Sequence, residues 1–108
     1  MGQYHDVYNL DKKERIHAHD LGLGLKLLEQ MGFKGSTADA LFLLVSVSNG
    51  RGDGDAPAHP LIGHWGGDRI AIIGDYYEQD DLPGLNFDSI DEFENISGKV
   101  VEMLNHVF

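Results

Sequence analysis

The sequence predicts an α+β domain: a small, mostly antiparallel sheet packed against about three helices. Three observations carry that expectation. Gln3 to Leu10 alternates polar and apolar positions, as a half-buried strand does. Arg69 to Ile73 is a β-branched run between Gly66-Gly67 and Gly74, which has the mass of a strand with hinges at both ends. Two segments in between and one at the end have helical spacing.

In the first strand Tyr4, Asp6, Tyr8 and Leu10 share one face, and His5, Val7 and Asn9 share the other. Turn residues Asn9 to Lys13 lead into a returning strand, Glu14 to His19, on which His17 and His19 are two apart and take the same face. Leu21, Leu25 and Leu28 predict a helix over 22–31 that ends at Gly32. Ser36 has the character of an N-cap, with Asp39 at the position of the capping-box acid. The run Ala40 to Val47 is apolar all round, hence a buried helix within 37–48 or a buried strand. The main strand, Asp68 to Tyr77, is placed in the sheet interior, with Trp65 at its entrance. Asp88 or Ser89 is expected to cap a short helix with Ile90 and Phe93. Ser97 is expected to cap a last helix over 97–107 with the stripe Val100, Val101, Leu104, Val107 and Phe108.

At 108 residues the chain has the length of one domain, taken as 1–108, and its 42% hydrophobic content is ordinary for a globular protein. It has no cysteine, which removes disulfides, thiolate metal sites and cysteine nucleophiles. No apolar run reaches the length of a membrane span, and the first residues lack a leader pattern, so no membrane association and a cytoplasmic location are expected.

The net charge of −10 is unevenly spread. Residues 1–52 hold six acids and six bases; residues 53–108 hold twelve acids against Arg69 and Lys99 alone. From Asp75 to Glu94 there are eight acids and no base. Such a surface repels nucleic acid and suits a basic protein.

Two blocks are familiar in combination. Asn9-Leu10-Asp11-Lys12-Lys13-Glu14 is followed by His17-x-His19 and by Gly24-Leu25-Lys26-Leu27-Leu28-Glu29. Asn49-Gly50-Arg51-Gly52 then precedes Gly63-x-Trp65-x-Gly67-Asp68-Arg69-Ile70-x-Ile72-x-Gly74-Asp75-Tyr76. Together they resemble a family of small uncharacterised bacterial proteins, over roughly residues 4–77. The resemblance implies a fold and no established activity. This chain has Ala18 where the family carries proline and His64 where it carries serine.

Three constellations bear on chemistry. His17 and His19, with a carboxylate such as Asp20 or Asp6, have the donor types for a divalent metal. Asn49 to Asp55 has glycines and Arg51 suited to a phosphate, and Asp53 and Asp55 suited to calcium, but it lacks the lysine and hydroxyl of the one motif and the bidentate glutamate of the other. Trp65 and Arg69 are either structural, the arginine paired with a carboxylate, or anchors of an interface. No serine, histidine and acid order suggests a nucleophilic triad.

The expected function is an acidic protein-binding module, such as a bacterial or phage-encoded inhibitor or immunity protein, acting on a basic or nucleic-acid-binding partner. Its expected binding residues are Trp65, Arg69, Asp75, Glu78, Asp80, Asp81, Asp91 and Glu92, with no catalytic residue, no cofactor and no direct nucleic-acid binding. The alternative is a small metal-dependent hydrolase or metal-binding regulator using His17 and His19. A structural subunit of a larger assembly is a third reading.

Overall fold

The computed structural model describes residues 4–22, 30–31, 34–47, 59–74, 78 and 92–108. Their architecture is α+β. A four-stranded mixed sheet is built from β1 (His5–Asn9), β2 (Glu14–Ile16), β3 (Ile70–Gly74) and β4 (Glu94–Asn95), in the order β3-β1-β2-β4. β1 pairs antiparallel with both β2 and β3, while β2 and β4 run parallel. Two α-helices are described, α1 (Thr37–Val45) and α2 (Ser97–Val107), with a 3-10 turn at Ala18–Leu21. The helix expected over 22–31 and the loop 49–58 fall largely or wholly outside the described residues.

The alternation in β1 sets the two sides of the sheet. Val7 is opposite Ile16 on one neighbour and Ile72 on the other. Val7 and Ile16 join Ala40 and Leu44 of α1, Val100, Met103 and Leu104 of α2, Ile96 and Trp65 in the main core. Tyr8 faces the other way, with Ile73 and Phe93, and meets Phe93 edge-on at 5.3 Å between ring centroids.

The turn between β1 and β2 follows from Asn9, which is fully buried. Its Oδ1 accepts the N–H groups of Asp11 and Lys12, and its Nδ2 donates to Asp68. This is the local side-chain hydrogen bonding that makes asparagine a turn residue.

Several expectations are corrected. The strand expected over 68–77 is not interior: among the described residues β3 is an end strand of the sheet, paired with β1, and β1 and β2 take the interior places. Ile72 is accordingly 57% exposed. The returning strand stops at Ile16, because Ala18–Leu21 closes into a 3-10 turn with Gly22 as its left-handed cap. His17 and His19 therefore do not share a strand face.

Ser36 does cap α1, accepting the Asp39 N–H, while Asp39 Oδ2 accepts from Gly35 N–H rather than from the cap residue itself. α1 is not buried all round: Phe42 is 74% exposed and Val47, just beyond its end, 70%. Of the short helix expected with Ile90 and Phe93, only Phe93 is among the described residues, and it is not helical; Glu94–Asn95 form β4, whose Glu94 N–H donates to the Lys13 carbonyl and whose successor Ile96 donates to the Arg15 carbonyl. Residues 79–91 lie outside the described ones.

Ser97 is not the cap of α2; it is the first helical residue, and Asn95 Oδ1 accepts both its N–H and its hydroxyl. The Ser97 hydroxyl oxygen in turn accepts the His17 N–H. The buried stripe of α2 runs through Val100, Met103 and Leu104, with Val101 at its edge and Phe108 half exposed.

Candidate functional site

The densest polar cluster lies where β1 begins and β2 ends. Asp6 is nearly buried, at 9% exposure, on the Tyr8 side of the sheet. A carboxylate so placed must collect donors. Arg15 NH1 is 3.3 Å from Oδ2, the Tyr8 hydroxyl donates to the same oxygen at 3.4 Å, and His17 Nδ1 donates to Oδ1. Cross-strand geometry explains the set: Asp6 and Tyr8 are on one face of β1, and Arg15 pairs with Tyr8.

Beside this pair, His19 Nδ1 is 2.9 Å from the Tyr4 hydroxyl. The Tyr4 ring meets both imidazoles at 62°, with centroids 5.6 Å from His17 and 5.1 Å from His19, and the two imidazoles are 6.0 Å apart. The two histidines are thus neighbours, brought together by the 3-10 turn and by Tyr4 rather than by strand alternation. Each has its Nδ1 engaged. A hydrogen bond from Nδ1–H to a carboxylate is the arrangement that fixes the other ring nitrogen of a histidine for a metal or a proton.

Asp20 takes no part in this cluster. Its Oδ2 accepts from Asn95 Nδ2 at 2.8 Å, which ties the 3-10 turn to β4. Among the described residues no three histidine, aspartate or glutamate side chains converge as a ligand set.

Trp65 is fully buried, and its indole N–H donates to Glu14 Oε1 at 2.8 Å. It belongs to the core and does not present an exposed anchor. Its position comes from the turn 60–67, whose Gly63 and Trp65 N–H groups donate to the Leu43 and Leu44 carbonyls at the end of α1. The Leu44 carbonyl is one the helix leaves without an internal partner, and the Leu43 carbonyl also accepts the N–H of the cap residue Ser46.

Arg69 is exposed and doubly bonded to Asp11, its backbone N–H to Oδ2 and its guanidinium to Oδ1. The backbone donor first, and then the guanidinium, hold the Asp11 carboxyl below the usual aspartate range. Lys12, followed by Asn9, does the same for Asp68. Glu78 and Glu92 are exposed. Asp75, Asp80, Asp81 and Asp91 lie outside the described residues.

Sequence reasoning missed the partnership of Glu14 with Trp65 and His64, which spans some fifty residues and leaves no local signal. It also missed Tyr4 as the residue between the two histidines, although the period of β1 already put Tyr4 on the face of Asp6.

Comparison with protein-family models returns no match, and neither curated proteins nor solved structures give one.

Proposed function

We propose that this chain is a cytoplasmic, acidic protein-binding module that captures a basic protein, in the manner of the inhibitors and immunity proteins of bacteria and phages. The carrying observation is the charge asymmetry: of 18 acids, twelve lie in residues 53–108, where only two bases oppose them. Exposed Glu92 and Glu94 continue the same sign up to β4. A field of one sign raises the local concentration of cationic partners and speeds their association. Exposed Phe42 and Val47 add apolar surface of the sort that mixed interfaces bury.

The test is joint reversal of Asp80, Asp81, Asp91 and Glu92 to lysine. Partner capture is expected to be abolished and, for the wild type, to weaken steeply with salt, while the circular dichroism spectrum is unchanged. Undiminished capture by the reversed variant rejects the reading.

A second reading is favoured by the histidine pair. With Nδ1 of His17 on Asp6 and Nδ1 of His19 at Tyr4, two imidazoles 6.0 Å apart have their outer nitrogens oriented by neighbours. Imidazole and carboxylate donors suit zinc, manganese or iron, and His17 and His19 would hold such an ion as part of a hydrolase or a metal-responsive regulator. Elemental analysis decides it: stoichiometric metal that is lost in His17→Ala supports this reading, and metal-free protein removes it.

A further inference from the structure

Among the described residues, β3 has one edge bonded to β1 and no strand on its other edge. The Leu10 N–H donates to the Arg69 carbonyl, and Tyr8 and Asp6 are opposite Ala71 and Ile73. Main-chain groups alternate in direction along an antiparallel strand, so those of residues 69, 71 and 73 turn toward β1. The N–H and C=O groups of Ile70, Ile72 and Gly74 point along the outer edge, where no strand of the described residues lies.

On the helix side of that edge is a mostly apolar pocket of about 130 Å³, walled among the described residues by His5, Gln30, Met31, Thr37, Ala38, Leu41 and Ile72. Two of its wall residues are unfinished. His5 Nδ1 and Thr37 Oγ1 are buried without a hydrogen-bond partner, and Thr37 as a whole is 9% exposed. Buried polar atoms are rarely left so. Ile72 and Met31 at the rim are 57% and 41% exposed.

We infer that β3 is a strand-addition site: an extended, basic segment of a protein partner pairs with Ile70–Gly74 and seats one apolar side chain in the pocket between Ile72 and the first turn of α1. Main-chain bonding to an open edge supplies affinity, and a pocket for an alternate side chain supplies selection. Charge chooses the occupant. A second copy of this chain brings another ten negative charges to the interface, whereas a basic segment meets a complementary field. The cations at the start of β3 do not repel it, because Lys12 and Arg69 are already bonded to Asp68 and Asp11. The inference rests on the protein-binding reading above and assigns it a place.

The full chain is titrated with a short blocked peptide alternating lysine and valine, and with a lysine homopeptide as control, while amide hydrogen exchange is followed. Slower exchange at Ile70, Ile72 and Gly74, with the alternating peptide alone, is the expected result. Ala38→Trp, which fills the pocket from an exposed helix position, and Ile72→Lys, which charges the edge, should each weaken that binding about tenfold or more.

Failure of the alternating peptide to bind, or binding that leaves exchange along β3 unchanged, overturns the inference. A dimer by light scattering that Ile72→Lys dissociates overturns it in favour of a second copy. Capture of the alternating peptide by the wild type and by the charge-reversed variant separates the two levels of the proposal. If charge reversal abolishes capture but Ala38→Trp and Ile72→Lys do not, strand addition alone is rejected. If charge reversal also leaves capture intact, the protein-binding reading is rejected with it.

Discussion

Trp65 and Glu14 are joined by a hydrogen bond of 2.8 Å from the buried indole N–H to Oε1, and His64 Nε2 is 3.0 Å from the same oxygen. One carboxylate on β2 thereby holds the turn that carries the only tryptophan. Glu14 is itself largely covered, its side chain 17% exposed.

Removal of that acceptor leaves a buried donor unpaired, a loss of about 2 kcal/mol for Glu14→Ala. Glu14→Gln keeps an oxygen in place and loses only the charge-assisted part, about 1 kcal/mol. Urea unfolding followed by tryptophan fluorescence measures both, and equal losses in the two variants would contradict the acceptor role.

Gly63 and Gly67 both have φ near +80°, yet they differ in surroundings. A Cβ at Gly63 would be 2.8 Å from the Ser46 carbonyl oxygen, whereas one at Gly67 meets nothing within 4 Å. Gly67→Ala is expected to cost about 1 kcal/mol for the left-handed backbone alone. Gly63→Ala adds a backbone clash that the bond from Gly63 to Leu43 keeps in place, about 3 kcal/mol in all. Thermal unfolding of the pair gives the difference directly.

Asn9 closes the β1–β2 turn with three side-chain hydrogen bonds and no exposure. Asn9→Ala is expected to lose about 2 kcal/mol. Asn9→Asp retains the acceptor for the Asp11 and Lys12 N–H groups but sets a second carboxylate against Asp68. Its deficit should therefore be largest at neutral pH and shrink in acid, which equilibrium unfolding at two pH values reads out.

What the sequence made legible was what short-range period carries. The faces of β1, the cap at Ser36, and the helix that begins at Ser97 follow from neighbours two to four residues apart. The place of β3 in the sheet was not legible, because an apolar strand at an edge beside a pocket reads the same as one between two others. β4 is two residues long and held by main-chain bonds to β2, so its side chains Glu94 and Asn95 leave no strand pattern. In the candidate site the donor types were legible, His17 and His19 above all. Their joining to Asp6 and Tyr4 was not, since it depends on the chain leaving β2 through a 3-10 turn.

Asp11 and Asp68 make the acid limb of stability depend on the two ion pairs beside the hairpin turn. Both carboxyls are held below the ordinary value of 3.8, by Arg69 in one case and by Lys12 with Asn9 in the other. A folded-state pKa below the unfolded one means that the unfolded chain takes up protons first as the pH falls. The stabilisation from each pair is therefore complete above the ordinary aspartate value, declines as the pH drops through the lower folded-state value, and is absent below both. Asp68→Asn and Asp11→Asn should separate from the wild type at neutral pH and converge with it in that acid window. The Arg69–Asp11 pair is solvent-accessible, so added salt should narrow the neutral-pH gap of Asp11→Asn as well. Urea unfolding across a pH series measures the convergence, and a gap that persisted unchanged into strong acid would show that the pairs do not carry it.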